Sequence, residues 1–108
     1  MERKITERGN AMATYVSLVH FTDQGIRTVK ETTKRAKMFK EMAQKAGVKV
    51  RDIYWTQGRF DLITITEASE EDAATALLLG LGAMGNIRTE TMRAHTAEEM
   101  DKILARLK

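Results

Sequence analysis

The stretch Ile53-Tyr54-Trp55-Thr56-Gln57-Gly58-Arg59-Phe60-Asp61-Leu62-Ile63-Thr64-Ile65 decides the fold. Two runs rich in β-branched and aromatic side chains flank a short Gln57-Gly58-Arg59 turn. The second run alternates apolar with hydroxyl residues, as a half-buried strand does, so the stretch predicts a β-hairpin. Its first strand runs back to Val48 and its second forward to Glu67.

Upstream, Gly47 closes a segment from Ile26 to Ala46 in which Ile26, Val29, Ala36, Phe39, Met42, Ala43 and Ala46 recur at helical spacing. A first strand, Thr14 to Phe21, precedes it, with Thr22 or Asp23 as the helix cap. Glu31 stands four residues before Arg35, the pairing expected on a solvated helix face. Downstream, Ser69-Glu70-Glu71-Asp72 opens a second helix with a hydroxyl at its cap and acids in its first turn. Its body, Ala73 to Leu81, is apolar nearly all round, with breaks at Gly80, Gly82 and Gly85. A helix without a wet face needs a cover, from the terminal helix or from another subunit, the latter taking the assembly beyond a dimer. Asn86 to Ala94 alternates as a fourth strand, and Thr96-Ala97-Glu98-Glu99 is a capping box starting a last helix through Met100, Ile103, Leu104 and Leu107.

The order β-α-β-β-α-β plus a terminal helix gives an α+β fold, a ferredoxin-like four-stranded antiparallel sheet with helices on one face. Residues 13–108 form this domain. Residues 1–12 are an extension, either a flexible arm or a leader to a natural start at Met12. With strand order 4-1-3-2 and strands 1 and 3 taken as parallel, Asp61 falls at the same end of the sheet as Tyr15, Thr56, Arg93 and His95, with His20 at the other end. Ile63 and Ile65 are expected under the helices. Tyr15, Ser17, Trp55, Leu62, Thr64, Thr89 and Thr91 then form the second face, too apolar for water yet polar enough to line a cavity. Pairing two such faces in a homodimer would cover it.

Composition narrows the classes. The chain has 108 residues, 43% hydrophobic and 31% charged, and no cysteine. That is one globular domain, without thiolate catalysis, disulfides or Cys-based zinc sites. No run is long enough to span a bilayer, and a cytoplasmic location is expected. A formal charge of +3 is mild, so the basic face of the first helix ranks nucleic acid as a low third reading.

Three segments carry a resemblance. Ala13-Thr14-Tyr15-Val16-Ser17-Leu18-Val19, the hairpin Ile53 to Asp61, and Leu81-Gly82-Ala83-Met84-Gly85-Asn86-Ile87-Arg88-Thr89-Glu90-Thr91 together resemble the GYD-domain family over roughly residues 13–105. The resemblance implies the dimeric α/β-barrel superfamily, in which ferredoxin-like chains pair through their sheets. The signature aromatic before the aspartate is typically tyrosine, and here it is Phe60. Any role of a phenol hydroxyl there is lost, or moved to Tyr54. Superfamily relatives include cofactor-free monooxygenases, lactone isomerases, heme enzymes and ligand-sensing domains, so the fold does not name the chemistry.

The candidate site follows from these placements. Asp61 either pins the hairpin by bonding nearby amides or acts as a carboxylate base at a pocket mouth, paired with Arg93 or His95. Gly58 supplies a positive φ in the turn. Tyr15, Ser17, Tyr54, Trp55, Gly58, Thr64, Arg93 and His95 are the candidate ligand-binding residues, with aromatic packing the plainer reading for Tyr54 and Trp55. His20 and His95 are expected at opposite ends, so no metal site is expected. A heme would need only one axial histidine, but no other feature supports one, and no cofactor is expected. The function expected is a small-molecule-binding protein or cofactor-free enzyme; the alternative is a non-catalytic ligand-sensing or assembly module.

Overall fold

The structure is a computed structural model and describes residues 12–108; apart from Met12, the extension expected at 1–12 lies outside the described residues. The chain runs β1 (Ala13–Phe21), α1 (Asp23–Arg27), a 3-10 turn (Val29–Glu31), α2 (Thr32–Lys45), β2 (Val48–Trp55), β3 (Leu62–Ala68), α3 (Glu71–Ala83), β4 (Ile87–Ala94) and α4 (Ala97–Leu104). The strands form one sheet in the order β2-β3-β1-β4, every neighbouring pair antiparallel. This is the ferredoxin-like α+β arrangement, read correctly from the hairpin outward.

The polarity expected for β3 is overturned. β1 and β3 are antiparallel, with Val19 opposite Leu62 and Tyr15 opposite Thr66. The reason is topological: a helix that crosses over a sheet returns the chain to its starting edge, so β1 and β2 run the same way. The hairpin reverses β3 between them. Asp61 therefore lies beside the end of β1, near His20, and far from Tyr15, Arg93 and His95.

The side of the sheet under the helices is also corrected. In β3 the buried residues are Leu62, Thr64, Thr66 and Ala68, while Ile63 and Ile65 face the other way. The register gives inward rows Trp55–Leu62–Val19–Thr89 and Ile53–Thr64–Ser17–Thr91. The residues grouped on one face from the sequence do share a face, but it is the covered one. Its core joins Phe39, Ala43, Val48, Ala68, Ala74 and Leu77. The small Ala43, Ala68 and Ala74 at this seam let helices and sheet approach closely.

The first helical segment is not continuous. Its break falls where Arg35 reaches back, Nη1 donating to the Thr28 carbonyl at 3.0 Å and Nη2 to the Gly25 carbonyl at 3.1 Å. Glu31 pairs with Lys34 at 3.5 Å rather than with Arg35. α3 passes through Gly80 and Gly82 to Ala83, and its cap is Glu70, whose side chain makes no capping hydrogen bond, in place of Ser69. The edge strand β2 carries a bulge between Val50 and Asp52, where Arg51 bonds Glu67 at 2.8 Å. That hydrogen bond, and then the attraction of the carboxylate, raise the Arg51 pKa above its ordinary value.

Candidate functional site

Asp61 bonds locally through its backbone and one carboxylate oxygen. Its N–H donates to the Val19 carbonyl at 2.8 Å, its carbonyl accepts from Thr56 N–H at 2.8 Å, and its Oδ2 accepts from Phe21 N–H at 2.8 Å. The carboxylate thus bonds an amide at the end of β1 and ties the hairpin to that strand. Thr56 Oγ1 donates to the Phe60 carbonyl at 2.6 Å and closes the turn. Gly58 takes φ +123°, a conformation that side chains with a Cβ rarely adopt.

Around this pin, the Phe60 ring lies 4.6 Å from the His20 ring, and His20 Nε2 is 3.7 Å from Glu90. Phe60 thus packs on a histidine that sequence reasoning put at the far end. Next to it, Thr22 Oγ1 donates to the Gly85 carbonyl and Gln24 Nε2 to the Met84 carbonyl at 3.1 Å. Gly25 sits against the Asn86 carbonyl so closely that a Cβ there would lie 2.0 Å from its oxygen. The start of α1 is thereby locked to the loop before β4.

The other candidate residues lie elsewhere. At the opposite end of the sheet the Arg93 guanidinium lies 5.5 Å from the Tyr15 ring centre, and His95 Nδ1 is 3.9 Å from the Glu99 carboxylate. Tyr15 and Arg93 border an open groove of about 620 Å³ between α3 and β4. Ser17 and Thr64 are buried at mid-sheet, where Ser17 Oγ and Thr91 Oγ1 are 2.8 Å apart. The Thr64 hydroxyl has no side-chain hydrogen bond among the described residues and borders a cavity of about 60 Å³ beneath α2 and α3. Trp55 Nε1 donates to Thr32 Oγ1 at 3.0 Å, fastening β2 to α2, and Tyr54 is exposed on the other face. The residues expected to form one pocket are therefore spread over both ends, the interior and both faces. Among the described residues no group of three His, Asp or Glu side chains is placed to hold a metal ion.

Sequence reasoning expected an uncovered side of the sheet but assigned it the wrong residues. Its rows are Tyr54–Ile63–Leu18–Glu90 and Asp52–Ile65–Val16–Met92. Ile63, Leu18, Ile65 and Val16 make a continuous apolar centre, with Tyr54 and Met92 exposed beside it. Polar groups stand around it: His20, Arg88 and Glu90 on one side, Asp52 on the other. α2 and α3 lie on the opposite side of the sheet from this face. The signal that would have found it is the antiparallel register, which sets Val16 opposite Ile65 and Leu18 opposite Ile63.

Comparison with known proteins adds the family. A protein of Thermus thermophilus named "Glutamine synthetase and cystathionine beta-lyase binding protein" is 33% identical over 100 residues, which cover 90% of this chain and 100% of the relative. The GYD domain description matches residues 15–104, from β1 through α4. With its hairpin pinned by Asp61, its four-stranded sheet and this match over nearly its whole length, the chain belongs to the GYD domain family.

Proposed function

We propose that this protein is a non-catalytic binding module, a homodimer closed face to face through the uncovered sides of its sheets, whose clients are other proteins. The observation that carries this reading is the apolar centre Val16, Leu18, Ile63 and Ile65, which faces outward while hydroxyl side chains are buried under the helices. A contiguous apolar patch rimmed by polar residues marks a protein interface. A face that two identical chains can share gives the isologous contact of a two-fold dimer.

The relative's name extends the reading to clients: that protein is named for binding glutamine synthetase and cystathionine β-lyase, and we assign this chain the same class of partner. Two features weigh against turnover of a small molecule. The Asp61 carboxylate has a structural partner, its Oδ2 accepting from Phe21 N–H. The cavity under the helices, about 60 Å³, is far below the few hundred Å³ that drug-sized ligands occupy, and Asp61 does not line the larger open groove of about 620 Å³ between α3 and β4.

The test takes the purified chain, glutamine synthetase and cystathionine β-lyase from one source and measures binding by biolayer interferometry, with native mass spectrometry for subunit number. A dimer that binds either enzyme saturably is the expected result. A dimer that binds neither removes the client assignment, and a chain that is monomeric at all concentrations removes the sheet pairing.

A further inference from the structure

The C-terminal helix α4 is built inside out. Its one buried residue is Glu99, 7% exposed, which accepts from Thr96 N–H at 3.0 Å in the capping box. Met100, Ile103, Leu104 and, just past the helix, Leu107 are spaced as one apolar ridge, yet they are 41–72% exposed. No strand or other helix among the described residues packs closely along it. Helices shorter than about 12–15 residues are marginal in water unless an apolar face is packed. α4 has 8.

We infer that the α4 ridge packs on a second copy of this chain, each copy giving one helix and receiving one. The inference rests on the face-to-face dimer proposed above. Ala94, opposite Thr14 at the rim of the uncovered sheet face, lies three residues before α4 begins. Pairing the sheets brings the second copy to that rim, within reach of the helix that starts there. The family match ends at Leu104, the last residue of α4, so the helix belongs to the domain. A cover that accompanies the domain itself is another copy of the domain. Charge argues the same way. Glu98 and Asp101 balance Lys102 and Arg106, whereas a helix that lies on a membrane carries a basic polar face.

Hydrogen exchange of the intact chain, above and below the concentration at which it dissociates, tests this together with the Ile103→Asp/Leu104→Asp double variant. Amides of residues 100–104 are expected to be protected in the dimer and to lose protection on dilution. The double variant is expected to raise the dimer dissociation constant at least about 100-fold, since two large apolar contacts are lost at each of two symmetric sites. A dimer of unchanged affinity with α4 unprotected overturns the inference and leaves sheet pairing standing. Protection that persists in the monomer places the ridge on its own domain and overturns it, as does protection that arises only when glutamine synthetase is added. A chain that never dimerises ends both readings. Should the double variant fail to fold, the exchange pattern of the wild type decides alone.

Discussion

The two sides of the sheet differ in a direction opposite to expectation from hydrophobicity. The side under α2 and α3 buries Ser17, Thr64 and Thr66 among its apolar residues, while the side without helices carries Val16, Leu18, Ile63 and Ile65 at its centre. Burying a hydroxyl costs free energy unless it is bonded; Ser17 meets this through Thr91, while Thr64 has no side-chain hydrogen bond among the described residues. Leaving apolar side chains at the centre of an open face has a cost too, which a second sheet would remove. The covered side holds one chain together; the uncovered side is the contact surface of the proposed dimer.

The sharpest way to break this contrast is Ile63→Asp. In a two-fold dimer the change occurs twice, so at about 1.5–3 kcal/mol per large side chain the loss is roughly 3–6 kcal/mol, or two to four orders of magnitude in self-association by sedimentation equilibrium. Association unchanged by Ile63→Asp would show the uncovered side to be idle. On the covered side, Phe39→Ala should lower stability by about 3–5 kcal/mol in urea unfolding, with m unchanged. A loss under 1 kcal/mol would mean that the helices cover the sheet only loosely.

Asp61 connects the two sides, because a slip of one residue in β3 would exchange Ile63 and Thr64 between them. Asp61→Ala should cost about 1–3 kcal/mol by stranding Phe21 N–H, and Asp61→Asn less, since its amide oxygen still accepts that bond. Client binding per folded molecule should stay at the wild-type level in Asp61→Asn; a loss of binding without a loss of stability would give the carboxylate a direct role. The smallest effect belongs to Thr64→Val, which replaces a buried hydroxyl lacking a side-chain hydrogen bond by a methyl group of the same shape. Thermal unfolding should move by no more than about 1 kcal/mol, towards greater stability. A clear destabilisation would show that the Thr64 hydroxyl holds something in the small cavity.

Local signals in the sequence were legible because they act over a few residues. The hairpin, the capping box at Thr96 and Glu99, and the chain order all rest on such signals and all appear in the structure. The long-range placements were harder. The polarity of β3 follows from crossover topology, and taking β1 and β3 as parallel moved Asp61 to the wrong end of the sheet. Which side of β3 faces inward was lost for another reason: Ile63 and Ile65 outrank Leu62, Thr64 and Thr66 in apolarity only if a single chain is the whole of the burial. The break after α1 was invisible because Arg35 makes it from ten residues away, by bonding the Gly25 carbonyl. The candidate site scattered with the first of these errors, since Tyr15, Arg93 and His95 had been joined to Asp61 by polarity alone.

The bulge in β2 bears on how many copies can join. An unpaired edge strand is a template on which further strands can stack without limit. Here Lys49 and Arg51 line that edge, and the irregularity between Val50 and Asp52 interrupts the row of backbone donors and acceptors a newcomer would need. Fibre-like growth along the β2 edge is thereby disfavoured.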